Sequence, residues 1–148
     1  ANNESALNLR QSTATIASAN IASRGGDTNN ATAMAVLSEA ANHLGKPYAW
    51  GAKGPNSFDC SGFVQYVFGK VGINAPAPTY NQETLGRYVP KGQEEPGDLV
   101  FFGTPGSTYH VGIYVGNGLY IHAPQTGDVV KYSNLSAAHG YSFARRLI

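Results

Sequence analysis

The stretch Phe58-Asp59-Cys60-Ser61-Gly62-Phe63-Val64-Gln65-Tyr66-Val67-Phe68 places the one cysteine of the chain where an apolar stripe begins. Phe63, Val64, Val67, Phe68 and Val71 recur at helical spacing, and Gly72 ends the run. Asp59 stands just ahead, where a carboxylate can accept the orphan amide hydrogens of a first helical turn. The pattern predicts a helix that opens at the cysteine. There the positive end of the helix macrodipole and the free backbone amides favour a thiolate over a thiol. A free thiol titrates near about 8.5, so without such help it is only slightly ionised at neutral pH. A lone cysteine is more often a small buried hydrophobe, and its neighbours must argue otherwise.

Upstream, Ala33, Val36, Leu37, Ala40, Ala41 and Leu44 form a second helical stripe, with Asn30 or Thr32 as its cap and Gly45 and Pro47 as its stop. Downstream, Thr79-Tyr80-Asn81-Gln82 has capping-box spacing and predicts a short third helix reaching about Arg87. After Pro96-Gly97 the period becomes strand-like. Leu99 to Phe102 reads as one strand, and His110 to Val115 and Leu119 to His122 flank the hairpin turn Gly116-Asn117-Gly118. Val129 to Tyr132 and Ser142 to Leu147 supply two more. Helices first and strands after, joined by short turns, predict an α+β domain: helices packed on a central antiparallel sheet of about five strands. Residues 1–30, rich in Ala, Ser, Thr and Asn, read as a linker or the remnant of a preceding region, and 31–148 as the domain.

The bulk numbers narrow the function. With 148 residues the chain suits one compact domain. Ten basic and nine acidic residues give a net charge of +1 with no basic run, so nucleic-acid binding of the electrostatic kind is not expected. No apolar stretch approaches the roughly 18 residues of a membrane span. One cysteine excludes a disulfide framework and a multi-cysteine zinc site.

Two histidines give the cysteine its context. His110 begins one strand and His122 ends the partner strand, so the turn near Asn117 brings them together across the pair. One can take the thiol proton while the other orients it, the triad logic with sulfur in place of oxygen. His43 and His139 have no such partner in sequence and read as structural. Lys131, Arg145 and Arg146 read as a solvated face.

The blocks Tyr48-Ala49-Trp50-Gly51 and Phe58 to Phe63 resemble the nucleophile segment of the NlpC-type cell-wall endopeptidases, a papain-like family. Pro96 to Phe102 is similar to that family's following strand, and His110 to Gly116 and Ile121-His122-Ala123 to its base and orienting segments. The likeness runs in order from about Ala33 to Ile148. It implies a papain-like fold with the nucleophile at a helix N-terminus. It also implies Cys60 as nucleophile, His110 as general base and acid, and His122 as the polar residue orienting the base. Tyr48 matches a tyrosine that helps hold the oxyanion beside the Cys60 amide, and Asp59 and Ser61 match residues that touch the peptide's amino-terminal part. Trp50 reads as a cleft wall or a packing residue. One departure is Ala52, where many members carry a second glycine after Gly51.

The implied substrate is the peptidoglycan stem peptide, cut between D-γ-glutamate and the diamino acid that follows, by a secreted or wall-associated monomer. No metal or cofactor is required. The rival readings are a muramoyl-L-alanine amidase or an acyltransferase on the same fold, an inactive wall-binding module, and a zinc site built from Cys60, His110 and His122.

Overall fold

The structure, a computed structural model, describes residues 27–148. Of the expected linker over 1–30, residues 1–26 lie outside the described residues, and 27–30 belong to the first helix. Helix α1 spans Asp27–Ala41, α2 Cys60–Lys70 and the short α3 Thr79–Gln82. The strands are β1 (Arg87–Val89), β2 (Leu99–Phe102), β3 (His110–Gly116), β4 (Leu119–His122), β5 (Lys131–Asn134) and β6 (Tyr141–Arg146). They form one six-stranded sheet in the order β1-β6-β2-β3-β4-β5, and its pairs are all antiparallel.

The two helical stripes are core. Ala33, Val36 and Ala40 of α1 and Phe63, Val64, Val67 and Phe68 of α2 are fully buried. They pack against Leu99, Phe101, Val111, Ile113, Val115 and Ile121 on one face of the sheet. The other face carries a smaller cluster of Val89, Val100, Phe102, Tyr120, Leu135 and Ala144. Strand β2 is buried on both faces, which is why its sequence is an unbroken apolar run. Alternation along β3 sends Val111, Ile113 and Val115 to the helices and His110, Gly112 and Tyr114 to the opposite face.

The β3–β4 turn forms as its sequence predicts. Asn117 and Gly118 both have positive φ, 52° and 77°, the combination that matches the twist of a two-residue hairpin. Other boundaries moved. Helix α1 begins at Asp27, so Asn30 and Thr32 lie inside it; the run Asp27-Thr28-Asn29-Asn30 offers several residues suited to a helix start. The last two strands are β5 at Lys131–Asn134 and β6 at Tyr141–Arg146, each displaced from its expected span.

Helix α3 stops at Gln82 instead of Arg87. The Gln82 side chain does not close a capping box; its amide donates to the carbonyls of Ser61 and Ala75. Gly86 then turns the chain at φ +60°, and Arg87 opens β1, a sixth strand that the sequence pattern did not mark.

Arg145 and Arg146 are not a solvated face. Arg146 makes a two-pronged contact with buried Asp98 at 2.8 and 2.7 Å and reaches Glu95 at 2.9 Å. Arg145 donates to the Glu83 carbonyl and lies over Tyr88 and Phe143. Their sheet positions carry the guanidinium groups onto carboxylate and aromatic partners that are distant in sequence. Lys131 pairs with Asp128 at 2.8 Å.

Two glycines of α2 make a contrast that tests the packing. A methyl group on Gly62 would stand 2.1 Å from the Ala52 carbonyl oxygen, whereas one on Gly69 would meet nothing within 4 Å. Gly62→Ala must therefore push the 49–52 loop off the helix, at a cost of roughly 1–3 kcal/mol. Gly69→Ala should add about 0.5–1 kcal/mol of stability through helix propensity. Thermal unfolding of the two variants should shift in opposite directions; equal shifts would disprove the tight loop–helix contact.

Candidate active site

Cys60 is the first residue of α2 and Asp59 is its N-cap, with Asp59 Oδ1 accepting the Gly62 amide at 2.6 Å. The same oxygen receives the Ser61 hydroxyl at 3.4 Å, and Oδ2 receives the Gly51 amide at 3.0 Å. The Asp59 amide donates to the Ala52 carbonyl at 2.8 Å. Asp59 thus fastens the helix start to the 49–52 loop, and both its oxygens are engaged. Ser61 is buried, with its hydroxyl turned toward Asp59. Trp50, on that loop, is 88% exposed and stands out from the surface. Ala52 keeps negative φ, so the backbone there has no need of the glycine that other members carry.

The Cys60 sulfur is partly buried among several donors. Thr79 Oγ1, at the start of α3, lies 3.8 Å away, and the backbone N–H groups of Ser61 and Val111 also point at the sulfur. Val111 directly follows His110, so the sulfur sits against the first residues of β3. The phenol of Tyr48 is close enough to feel the charges of Cys60 and Asp59, which, after burial, raise its pKa.

His110 and His122 meet as the hairpin predicts. His110 Nε2 lies 2.8 Å from His122 Nδ1, and the rings are 5.0 Å apart in an edge-on arrangement. Gly112, between them on the same face, makes the approach possible, since a methyl group there would stand 2.7 Å from the Tyr120 ring and 3.2 Å from the His122 Cβ. His110 packs on Phe102 and lines a cavity of about 360 Å³ with Tyr109, Tyr120, Pro124 and His139. His43 is buried against Phe58, Phe63 and Tyr66 and pairs with Glu39, the structural role expected of it.

Burial dominates the proton affinities. It pushes the Cys60 thiol above its ordinary range, opposed by the Thr79 hydroxyl and the Val111 and Ser61 amides. It lowers His110 to about 4 and His122 to about 3, the latter helped by the charges of His110 and Lys131. A helix start was expected to favour the thiolate; here desolvation of the sulfur outweighs the local donors. At neutral pH these directions favour the thiol and the neutral imidazoles.

Three further residues belong to this neighbourhood and were not legible as site residues. Thr79 reads only as a helix opener. Ser133 of β5 places its Oγ 2.8 Å from His122 Nε2, yet Lys-Tyr-Ser-Asn looks like any strand. Glu83, 6% exposed, accepts the Gly106 and Thr108 amides and the Thr108 hydroxyl, and so holds the loop that leads into His110. Among the described residues no group of three or more His, Cys, Asp or Glu could hold a metal ion, and no helix is long and apolar enough to cross a membrane.

The family model for the NlpC/P60 family matches residues 45–145. The chain is 46% identical over 114 residues to the probable endopeptidase p60 of Listeria innocua, covering 77% of this chain and 23% of that protein. It is 40% identical over 121 residues to the bifunctional muramidase/DL-endopeptidase CwlT of Bacillus subtilis, covering 74% and 35%. The crystal structure of the NlpC/p60 domain of the peptidoglycan hydrolase SagA superposes with a TM-score of 0.73 at 43% identity, covering 77% of this chain and 97% of that one. The chain therefore spans well under half the length of either curated relative. Residues 45–145 include helix α2 and strands β3 and β4, and on that match the chain belongs to the NlpC/P60 family.

Proposed function

We propose that this chain is a cysteine endopeptidase of peptidoglycan stem peptides, cutting the bond between D-γ-glutamate and the diamino acid that follows. The observation that carries the reading is the His110–His122 contact at the start of the strand whose next amide, that of Val111, faces the Cys60 sulfur at its helix start. The similarity to proteins named endopeptidase p60 and DL-endopeptidase supports the bond. The catalytic unit runs from helix α1 through the sheet, Asp27 to Ile148, with the residues ahead of it as its connecting segment, acting outside the cell or in the wall.

His110 spends Nε2 on His122, which leaves Nδ1 for the thiol. The proton leaves Sγ for Nδ1 as the sulfur attacks the amide carbon, and negative charge moves to the carbonyl oxygen. The Cys60 amide and the Tyr48 hydroxyl hold that oxygen, donors whose single removal costs roughly 2.7–4 kcal/mol in other hydrolases. His110 then gives its proton to the departing amine, leaving a thioester, and activates water to clear it. Asp59 and Ser61 shape the wall beneath the peptide's amino-terminal part, and Trp50 rises beside it. No step calls on a metal or cofactor.

Digestion of purified peptidoglycan with mass analysis of the fragments should yield new amino-terminal diamino acid ends. Free L-alanine ends on intact stems would show an amidase instead, and the absence of any fragment a binding module. Cys60→Ala should abolish turnover in a protein that stays folded. His122→Ala should keep a remainder, reduced roughly 10–100-fold.

The pH profile follows from the neutral resting pair. His110 works as a base only when unprotonated, so kcat/KM should hold through the mildly acidic range and fall as pH drops through about 4. It should fall again above the ordinary thiol range, where the proton destined for the leaving amine is lost. Fast alkylation of Cys60 that persists through the mildly acidic range, down to the acid limb, would instead reveal a preformed thiolate–imidazolium pair.

Stability should follow the same groups. Both histidines titrate lower in the fold, near 4 and 3, than the ordinary 6.5. Between those values the unfolded chain binds more protons, so stability is intact above about 6.5 and declines as pH falls below it. Circular dichroism over the same pH range separates unfolding from loss of the base.

A further inference from the structure

Ser133 stands opposite Tyr120 in the β4–β5 register, so it shares a face with His122 one diagonal away. The contacts run in series: His110 Nε2 to His122 Nδ1 at 2.8 Å, then His122 Nε2 to Ser133 Oγ at 2.8 Å. Tyr120, its partner across the pair, is 4% exposed, and its ring lies 4.4 Å from that of His122.

A neutral imidazole has one N–H and one lone pair, and each contact in the series must hold one hydrogen. Only two arrangements satisfy that count. In the first, His110 Nε2–H donates to His122 Nδ1, and His122 Nε2–H donates to Ser133. His110 Nδ1 is then bare and can take a proton. In the second, Ser133 donates to His122 Nε2 and His122 Nδ1–H donates to His110 Nε2. His110 then carries its hydrogen on Nδ1, has no lone pair left, and cannot act as a base. The heavy-atom distances are the same in both; the chemistry is opposite.

The reading of His110 as a base requires the first arrangement, in which Ser133 accepts. A serine hydroxyl has one hydrogen and two acceptor lone pairs. Either lone pair can take the His122 Nε2–H across the 2.8 Å contact. We infer that Ser133 is a positioning residue that fixes the tautomer of His122, and through it that of His110, so that the base presents its Nδ1 lone pair to the thiol. The inference rests on the reading of His110 as the base. When His110 takes the thiol proton, the hydrogens further along stay where they are; Ser133 sets the polarity of the series and carries no proton.

Nitrogen-15 imidazole spectra of the intact chain at neutral pH test this without substrate. His110 and His122 should both be protonated at Nε2 and bare at Nδ1. Ser133→Ala removes the acceptor, so the Nε2–H form of His122 should lose population and kcat should fall roughly tenfold or more with KM little changed. Ser133→Thr keeps the hydroxyl and should restore both readouts. His122 protonated at Nδ1 in the unaltered chain would overturn the inference, as would Ser133→Ala with unchanged spectra and kcat. Where Ser133→Ala fails to fold, the unaltered chain and Ser133→Thr still decide. His110→Ala keeps the outcomes apart: surviving turnover sinks the base reading itself, whereas a dead His110→Ala beside an unaffected Ser133→Ala sinks only the role of Ser133.

Discussion

The proposed site depends on one constraint: the sulfur and the imidazoles come from opposite sides of the sheet and can meet only at a strand end. Cys60 belongs to the helical layer, which packs on Val111, Ile113 and Val115. The His110 and His122 rings lie on the other face, against Phe102 and Tyr120. In mid-strand the β3 backbone would separate them. His110 is the first residue of β3, and the Val111 amide just after it points at the sulfur. A one-residue slip of β3 would send His110 to the helical face and Val111 into the catalytic row, so the register of the apolar residues and the site are a single choice.

The short α3 ties that strand end to the helix start. Thr79 touches the sulfur, Gln82 donates to the Ser61 carbonyl, and Glu83 holds the 106–108 loop that leads into β3. Three residues of one five-residue segment therefore bear on the surroundings of both Cys60 and His110. Four residues of helix contribute little stability of their own. What keeps the segment in place is the set of buried polar contacts it makes, and losing any of them leaves a buried polar group unpaired.

Much of this was legible. The apolar stripes of α1 and α2, the run that became β2, and the Asn117-Gly118 turn all rest on local periodicity or turn chemistry. Those signals survive folding because the core simply adopts them. The pairing of His110 with His122 was legible for the same reason: a hairpin converts sequence spacing into contact. Thr79, Glu83 and Ser133 were not, since each acts through a partner about 11 to 25 positions away whose proximity only the tertiary fold creates. The overlong α3 came from the same blindness. A Thr-to-Gln spacing looks like a local cap, yet Gln82 satisfies carbonyls of α2 and the following loop instead.

The electrostatic expectation erred in an instructive direction. A helix start does favour a thiolate, and the Thr79, Ser61 and Val111 donors act with it, yet burial of the sulfur outweighs them. The same burial strips the imidazoles of their protons, so the site rests without separated charge. On the proposed mechanism charge develops only as the proton moves from sulfur to His110 while the new bond forms. A neutral site of this kind needs no strong counter-ion: His122 leads on to a serine hydroxyl, and the Asp128 carboxylate acts on it only through its charge. Its demand is for geometry, because a base that is uncharged at rest must present the correct nitrogen before the substrate arrives. Hydrogen-bond polarity along β3, β4 and β5 therefore carries the burden that net charge carries in a triad ending in aspartate.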